Sequence, residues 1–225
     1  MFGRGRTAAD TRNKKAVSEN IEIIPLELPG HGMRMFSDEP IPSIQKMADD
    51  IFKQIISNGV DENYCVLGYS MGSLICYEVC LKLFLGNFKM PKHIFICASD
   101  TPHHKENFKN VVNKTPDEMK DELIKLGGTP KEILENDELM DLFLPIIKND
   151  FIAIELYEPT ETDAKIPVPF TVVCGSEEFV KDNTINNWDK YFSCDGKILS
   201  VEGGHFYIHD SPKKLADILE SEIYK

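Results

Sequence analysis

With 225 residues, 42% of them hydrophobic, the chain can bury a substantial core as one large domain or as one domain with an inserted subdomain. Its formal charge of −12 opposes binding to nucleic acid or to an anionic membrane through any general field, and no apolar run reaches the length of a membrane span. Six cysteines (65, 76, 80, 97, 174 and 194) form no C-x-x-C pair and sit mostly in apolar segments. They read as reduced core thiols, neither a zinc site nor a disulfide framework, and with no secretory apolar stretch at the start a cytoplasmic protein is expected.

Positive charge gathers at the beginning, where Arg4, Arg6, Arg12, Lys14 and Lys15 face one acid, Asp10. Residues 1–20 are expected to be a disordered or shortened N-terminal segment without an assigned function, and 21–225 to form the folded domain. Ile21 to Leu28 is short, apolar and closed by Pro29-Gly30, which predicts a buried strand delivering a loop. Ser43 to Ile56 spaces Ile44, Met47, Ala48, Ile51 and Ile55 as one helical face. The run Tyr64-Cys65-Val66-Leu67 then leads into Gly68-Tyr69-Ser70-Met71-Gly72 and a helix-like stretch from Ser73 to Leu85. A strand, a G-x-S-x-G turn and a helix in that order predict a nucleophile elbow, which lifts a strained, exposed Ser70 to the top of a sheet.

His93 to Ala98 is the next expected strand, Phe170 to Cys174 another and Lys197 to Val201 the last, before a closing helix from Pro212 to Ile223 with Ser211 as its cap. Strands alternating with helices imply an α/β protein with a mostly parallel sheet covered on both faces. The interval from about 115 to 157 breaks that rhythm. Thr115-Pro116-Asp117-Glu118 and Thr129-Pro130-Lys131-Glu132 each offer a capping threonine, a proline at the first helical position and an acid three residues after the cap. Two or three inserted helices follow, rich enough in Leu, Ile and Phe to cover a binding channel as a lid.

A serine hydroxyl needs a base to accept its proton, and the base needs a third group to orient it. His205, in Gly203-Gly204-His205-Phe206 after the last strand, stands where the order nucleophile, acid, histidine requires the base. The acid is expected after the Phe170 strand, in Gly175-Ser176-Glu177-Glu178; Glu178 is preferred, Glu177 is the alternative and Asp182 third. The backbone N–H of Met71, the residue after the nucleophile, supplies one oxyanion donor.

Four segments together resemble the type II, or editing, thioesterases of nonribosomal peptide and polyketide synthesis, which are α/β-hydrolases. Pro29-Gly30-His31-Gly32-Met33-Arg34 resembles the family's Pro-Gly-Arg-x-x-Arg loop, with His31 for the usual arginine. Gly68 to Gly72 resembles its Gly-His-Ser-Met-Gly elbow, with Tyr69 for histidine. Leu126-Gly127-Gly128-Thr129-Pro130 with Asp150-Phe151 and Tyr157 resembles its lid, and Gly203-Gly204-His205-Phe206 its histidine loop. The family usually has aspartate where Glu178 stands, and its Phe-Pro-x-Ala-Gly-Gly-like loop, source of a second oxyanion donor, has no counterpart here. The resemblance implies a monomeric, cofactor-free serine hydrolase that frees the phosphopantetheine arms of acyl or peptidyl carrier proteins from aberrant or stalled acyl groups. A small-ester or acyl-CoA esterase and an inactive carrier-binding module are the rival expectations.

Overall fold

The computed structural model describes residues 17–57, 63–104, 110–177 and 187–225. Helix α1 (Ile44–Ser57) buries Ile44, Met47, Ala48, Ile51 and Ile55, the face that its spacing predicts. Strand β1 (Val66–Tyr69) runs directly into helix α2 (Met71–Leu85), which is buried nearly all round, and strand β2 (Ile94–Cys97) follows. A helical insert comes next, with a 3-10 turn (Val111–Asn113), α3 (Pro116–Leu126), α4 (Lys131–Leu134) and α5 (Asp137–Glu155). Strands β3 (Phe170–Gly175) and β4 (Gly196–Val201) complete the sheet, and the short α6 (Tyr207–Asp210) and α7 (Pro212–Ile223) close the chain.

Among the described residues the sheet has four strands in the order β1-β2-β3-β4, all parallel, with Val66 opposite Ile94, Ile94 opposite Phe170 and Phe170 opposite Gly196. Alternation along the strands divides the core in two. Ile94, Ile96, Phe170 and Val172 pack with α1 and α2, whereas Phe95, Cys97 and Val173 pack with Tyr207 and with Leu215 of α7. Both faces of a parallel sheet are therefore covered, as the alternation of elements in the sequence requires. Each strand points its C-terminal end toward the loops at 70, 98, 176 and 202, which is where such folds assemble their sites.

The insert has a small core of its own, Val111, Met119, Leu123, Met140 and Phe151. The expected capping box at α3 is present: Thr115 Oγ1 accepts from Glu118 N–H at 3.3 Å and Glu118 Oε2 accepts from Thr115 N–H at 2.7 Å. The second expected cap is displaced by one residue, since α4 starts after Pro130 and no side chain caps it. Helix α5 is capped by Asn136, whose side chain accepts from Leu139 N–H at 3.1 Å, and it runs from Asp137 through Pro145 for 19 residues.

Residues 21–28 do not form the expected strand; Leu26 alone holds a bridge position and Leu28 alone is fully buried. Pro25, which has no N–H to give to a ladder, interrupts the run at its centre. Ser211 precedes α7 as expected, yet its hydroxyl donates to Glu202 O at 3.4 Å instead of capping the helix. Of the N-terminal segment, residues 1–16 lie outside the described residues. Ser18 is docked on α7, its N–H donating to Glu220 Oε1 at 2.5 Å and its hydroxyl 2.7 Å from Tyr224 Oη.

Candidate active site

Ser70 occupies the turn between β1 and α2 with φ 53° and ψ −123°, a backbone region that a residue with a Cβ adopts only under constraint. The constraint is visible in the neighbouring backbone. A Cβ built at Gly68 would lie 2.3 Å from Gly72 O and 2.5 Å from Ser73 Cα, so the helix can cross the strand this closely only if residue 68 is glycine. Cys97 O, at the end of β2, accepts from Ser70 N–H at 2.8 Å and from Ser73 Oγ at 2.9 Å, locking both sides of the turn to the sheet.

His205 arrives from the opposite end of the sequence. Its Nε2 lies 3.0 Å from Ser70 Oγ across 135 positions of chain. Tyr69, the residue before the serine, donates its hydroxyl to the backbone carbonyl of His205, and its ring packs 5.4 Å from that of Tyr207. Tyr207 in turn donates to Val173 O in β3 at 3.0 Å. The imidazole loop is thus tied at His205 to the elbow and at Tyr207 to the sheet. Met71 opens α2, so its N–H belongs to the first turn, whose donors no intrahelical carbonyl satisfies.

The loop after β3 meets the histidine loop through its backbone: Ser176 N–H donates to Val201 O at 2.7 Å, Glu177 N–H to Gly203 O at 2.9 Å, and Gly203 N–H to Ser176 Oγ at 3.2 Å. Glu177 Oε2 sits 3.8 Å from where a Cβ on Gly204 would be, one residue from His205, and the side chain is exposed. Glu178 and Asp182 lie outside the described residues. Ser70, His205 and the start of the acid loop therefore come together; Glu177 is at the rim of that group.

The helical insert abuts the same place. Gly128, at φ 75°, presses against the ring of Phe206, leaving only 2.4 Å between that ring and a built Cβ. Met71 is partly buried and packs against the main core, to which Leu28, Ala153 and Tyr157 belong. The loop before α1 is pinned by Arg34, which forks onto Asp50 at 2.6 and 3.0 Å and reaches Asp38 at 2.6 Å. The Asp50 hydrogen bond leads the effects that raise the guanidinium further above its already high range.

A serine on a strained strand-to-helix turn, a histidine within hydrogen-bond reach and a first-turn N–H are what acyl transfer through a covalent intermediate needs. The thioesterase domain family matches residues 11–223, nearly the whole sequence. The chain belongs to the thioesterase family. It is a hydrolase of the kind that acts on thioesters, and two curated relatives agree. The medium-chain S-acyl fatty acid synthase thioesterase of Homo sapiens is 30% identical over 197 residues, 84% of this chain and 72% of that protein. The probable anguibactin biosynthesis thioesterase AngT of Vibrio anguillarum is 25% identical over 218 residues, 93% of this chain and 84% of that protein. In fold, the chain superposes on ClbQ of the colibactin NRPS/PKS pathway with a TM-score of 0.88 at 22% identity, over 96% of this chain and 91% of that one.

Two residues of this thioesterase escape a reading of motifs alone. The phenol of Tyr69 is the clamp on His205 just described. Glu78, 1% exposed on α2, accepts from Tyr157 Oη at 2.8 Å, Thr160 N–H at 3.0 Å and Thr160 Oγ1 at 2.6 Å, and so fixes the point where the insert returns to the sheet. Burial, then the adjoining Glu78 carboxylate, push the Tyr157 hydroxyl far up, keeping it a donor. One signal was available: a single acid inside an otherwise apolar helix face is almost always partnered.

Proposed function

We propose that this thioesterase hydrolyses acyl groups from the phosphopantetheine thiol of carrier proteins, the editing activity of a type II enzyme. The observation that carries the reading is the 3.0 Å approach of His205 Nε2 to Ser70 Oγ at a positive-φ elbow. Ser70 Oγ attacks the thioester carbonyl carbon as His205 takes the hydroxyl proton. The tetrahedral oxyanion leans on Met71 N–H, the C–S bond breaks, and His205 returns the proton to the departing thiolate. Water, deprotonated by the same imidazole, then cleaves the acyl-enzyme and regenerates Ser70. A carboxylate from the loop at 177–178, with Glu178 preferred, orients the ring. The insert from about 115 to 157 acts as the lid that sets which acyl chains enter.

Support for a carrier-bound substrate comes from relatives named for biosynthetic pathways, including the probable anguibactin biosynthesis thioesterase AngT. A net charge of −12 sets a condition on docking, because carrier proteins are commonly acidic as well; contact must use a local apolar or basic patch and be weak. The test compares turnover of one acyl group presented on a carrier protein, on coenzyme A and as a nitrophenyl ester. Faster turnover on the carrier supports the proposal, and preference for the free ester makes the chain a general esterase. Fluorophosphonate labelling that Ser70→Ala abolishes supports the nucleophile; absence of labelling in the unaltered chain would leave a carrier-binding module without hydrolysis. The human relative's name points to a fatty acid synthase carrier, so medium-chain acyl groups belong in the same panel.

A further inference from the structure

The imidazole of His205 stands between two other rings. Tyr69, on the elbow side, has its ring 6.1 Å away at 72°, and Phe206, the next residue in the chain, has its ring 5.0 Å away at 85°. The first ring belongs to the floor and is fastened there by its hydroxyl on His205 O. The second faces the insert. Gly128, in the turn between α3 and α4, lies so close to Phe206 that a built Cβ would sit 2.5 Å from Cγ and closer still to Cδ2 and Cε2. Since Cγ lies on the axis of the last side-chain torsion, turning the ring about that bond cannot clear the contact.

The backbone of residue 206 is held as well. His205 O accepts from Tyr69, Tyr207 N–H donates to Gly204 O at 3.1 Å, and Phe206 O accepts from His209 N–H at 2.8 Å. A push on the ring is therefore passed to what lies beside it. His209 is stacked on it at 6.2 Å and 14°, and the imidazole of His205 is nearer. Gly128 shares its φ of 75° with Gly127, the residue that ends α3, but the surroundings of the two differ. A Cβ on Gly127 would meet nothing within 4 Å among the described residues. Gly127 thus carries the same backbone demand without the contact.

We propose that Phe206 is a positioning residue through which Gly128 of the insert sets the imidazole of His205, so that seating the insert and aligning the base are one event. The inference rests on the reading of Ser70 and His205 as the acyl-transfer pair. With the insert seated, Tyr69 and Phe206 hold the ring from both sides and Nε2 stays 3.0 Å from Ser70 Oγ. With the insert lifted, one side of that bracket is lost and the imidazole gains freedom, at a place where a small misplacement costs much of the rate. Acylation and deacylation use the same imidazole, so the open enzyme is slow in both half-reactions.

The rate at which a fluorophosphonate marks Ser70 in the full chain tests this without a carrier protein. Gly128→Ala and Phe206→Ala are each expected to slow marking about tenfold, and Gly127→Ala by less than about twofold. In the double variant the methyl has room, so Gly128→Ala should add nothing to Phe206→Ala. The proposal is overturned by a loss of about a hundredfold in the double variant, by equal rates in Gly128→Ala and Gly127→Ala, or by an unchanged rate in Phe206→Ala. The C2 proton resonance of His205, assigned by its disappearance in His205→Asn, gives a readout that needs no activity. It should move in Gly128→Ala and hold still in Gly127→Ala; a resonance that stays put in both overturns the proposal too. A chain that no fluorophosphonate marks, yet whose His205 resonance moves as expected, would defeat the reading of function and not the coupling.

Discussion

The floor of the site and the insert above it are built by different means. In the floor, position is dictated by backbone: Gly68 admits α2 against β1, Cys97 O gathers two donors from the turn, and Tyr69 and Tyr207 fasten the histidine loop. The insert relies on a small core and on helix caps, and it meets the floor at a few places, among them Gly128 on Phe206, Asp150 on His31, and Tyr157 and Thr160 on Glu78. A floor so constrained can hold Ser70 and His205 at 3.0 Å, while an insert with few anchors can move as a unit.

The sharpest way to break the floor is Gly68→Ala. The added methyl meets backbone atoms that cannot step aside, so a loss of about 3 kcal/mol in urea unfolding is expected, together with loss of fluorophosphonate labelling at Ser70. Unchanged unfolding would show that the elbow tolerates a Cβ and that the close approach is not what fixes it. Glu78→Leu attacks the join. Three donors lose their buried acceptor, which costs about 2–3 kcal/mol, and protease cleavage in the segment after Tyr157 should speed up.

Tyr69→Phe separates position from packing. The ring stays against Tyr207 but the bond to His205 O goes, so kcat should fall about tenfold with KM and thermal stability nearly unchanged. A rise in KM instead would mean that Tyr69 serves binding. The smallest effect belongs to the insert alone: Thr115→Ala removes one half of the α3 capping box, about 1 kcal/mol of local stability. It should appear as faster exchange of the α3 amides without a shift in the global unfolding midpoint.

The same division governs what a reader of the sequence can find. Ser70 and His205 are legible because backbone requirements write themselves as local glycine patterns, G-x-S-x-G and Gly-Gly-His. Both faces of the sheet are legible from apolar runs. The apolar run Tyr64 to Leu67 marks strand β1 two residues early: it runs from Val66 to Tyr69, where Gly68 and Tyr69 continue the ladder opposite Ile96 and Cys97. In the insert, Pro145 argues for a break that the 19 residues of α5 do not make. Pairings such as His31 with Asp150 and Tyr69 with His205 join positions more than 100 residues apart, and no local spacing encodes them.

The protein has one tryptophan, and its location gives the two regions separate optical signatures. Trp188 is 1% exposed, with its ring 6.3 Å from that of Tyr77 on α2 and 5.6 Å from that of Tyr191, and its indole N–H has no hydrogen-bond partner among the described residues. Its emission watches the sheet side of the molecule and leaves the insert dark, whereas helix circular dichroism sees both. Heating a single sample and following the two signals together would therefore reveal whether the insert melts ahead of the rest, without any label or substitution.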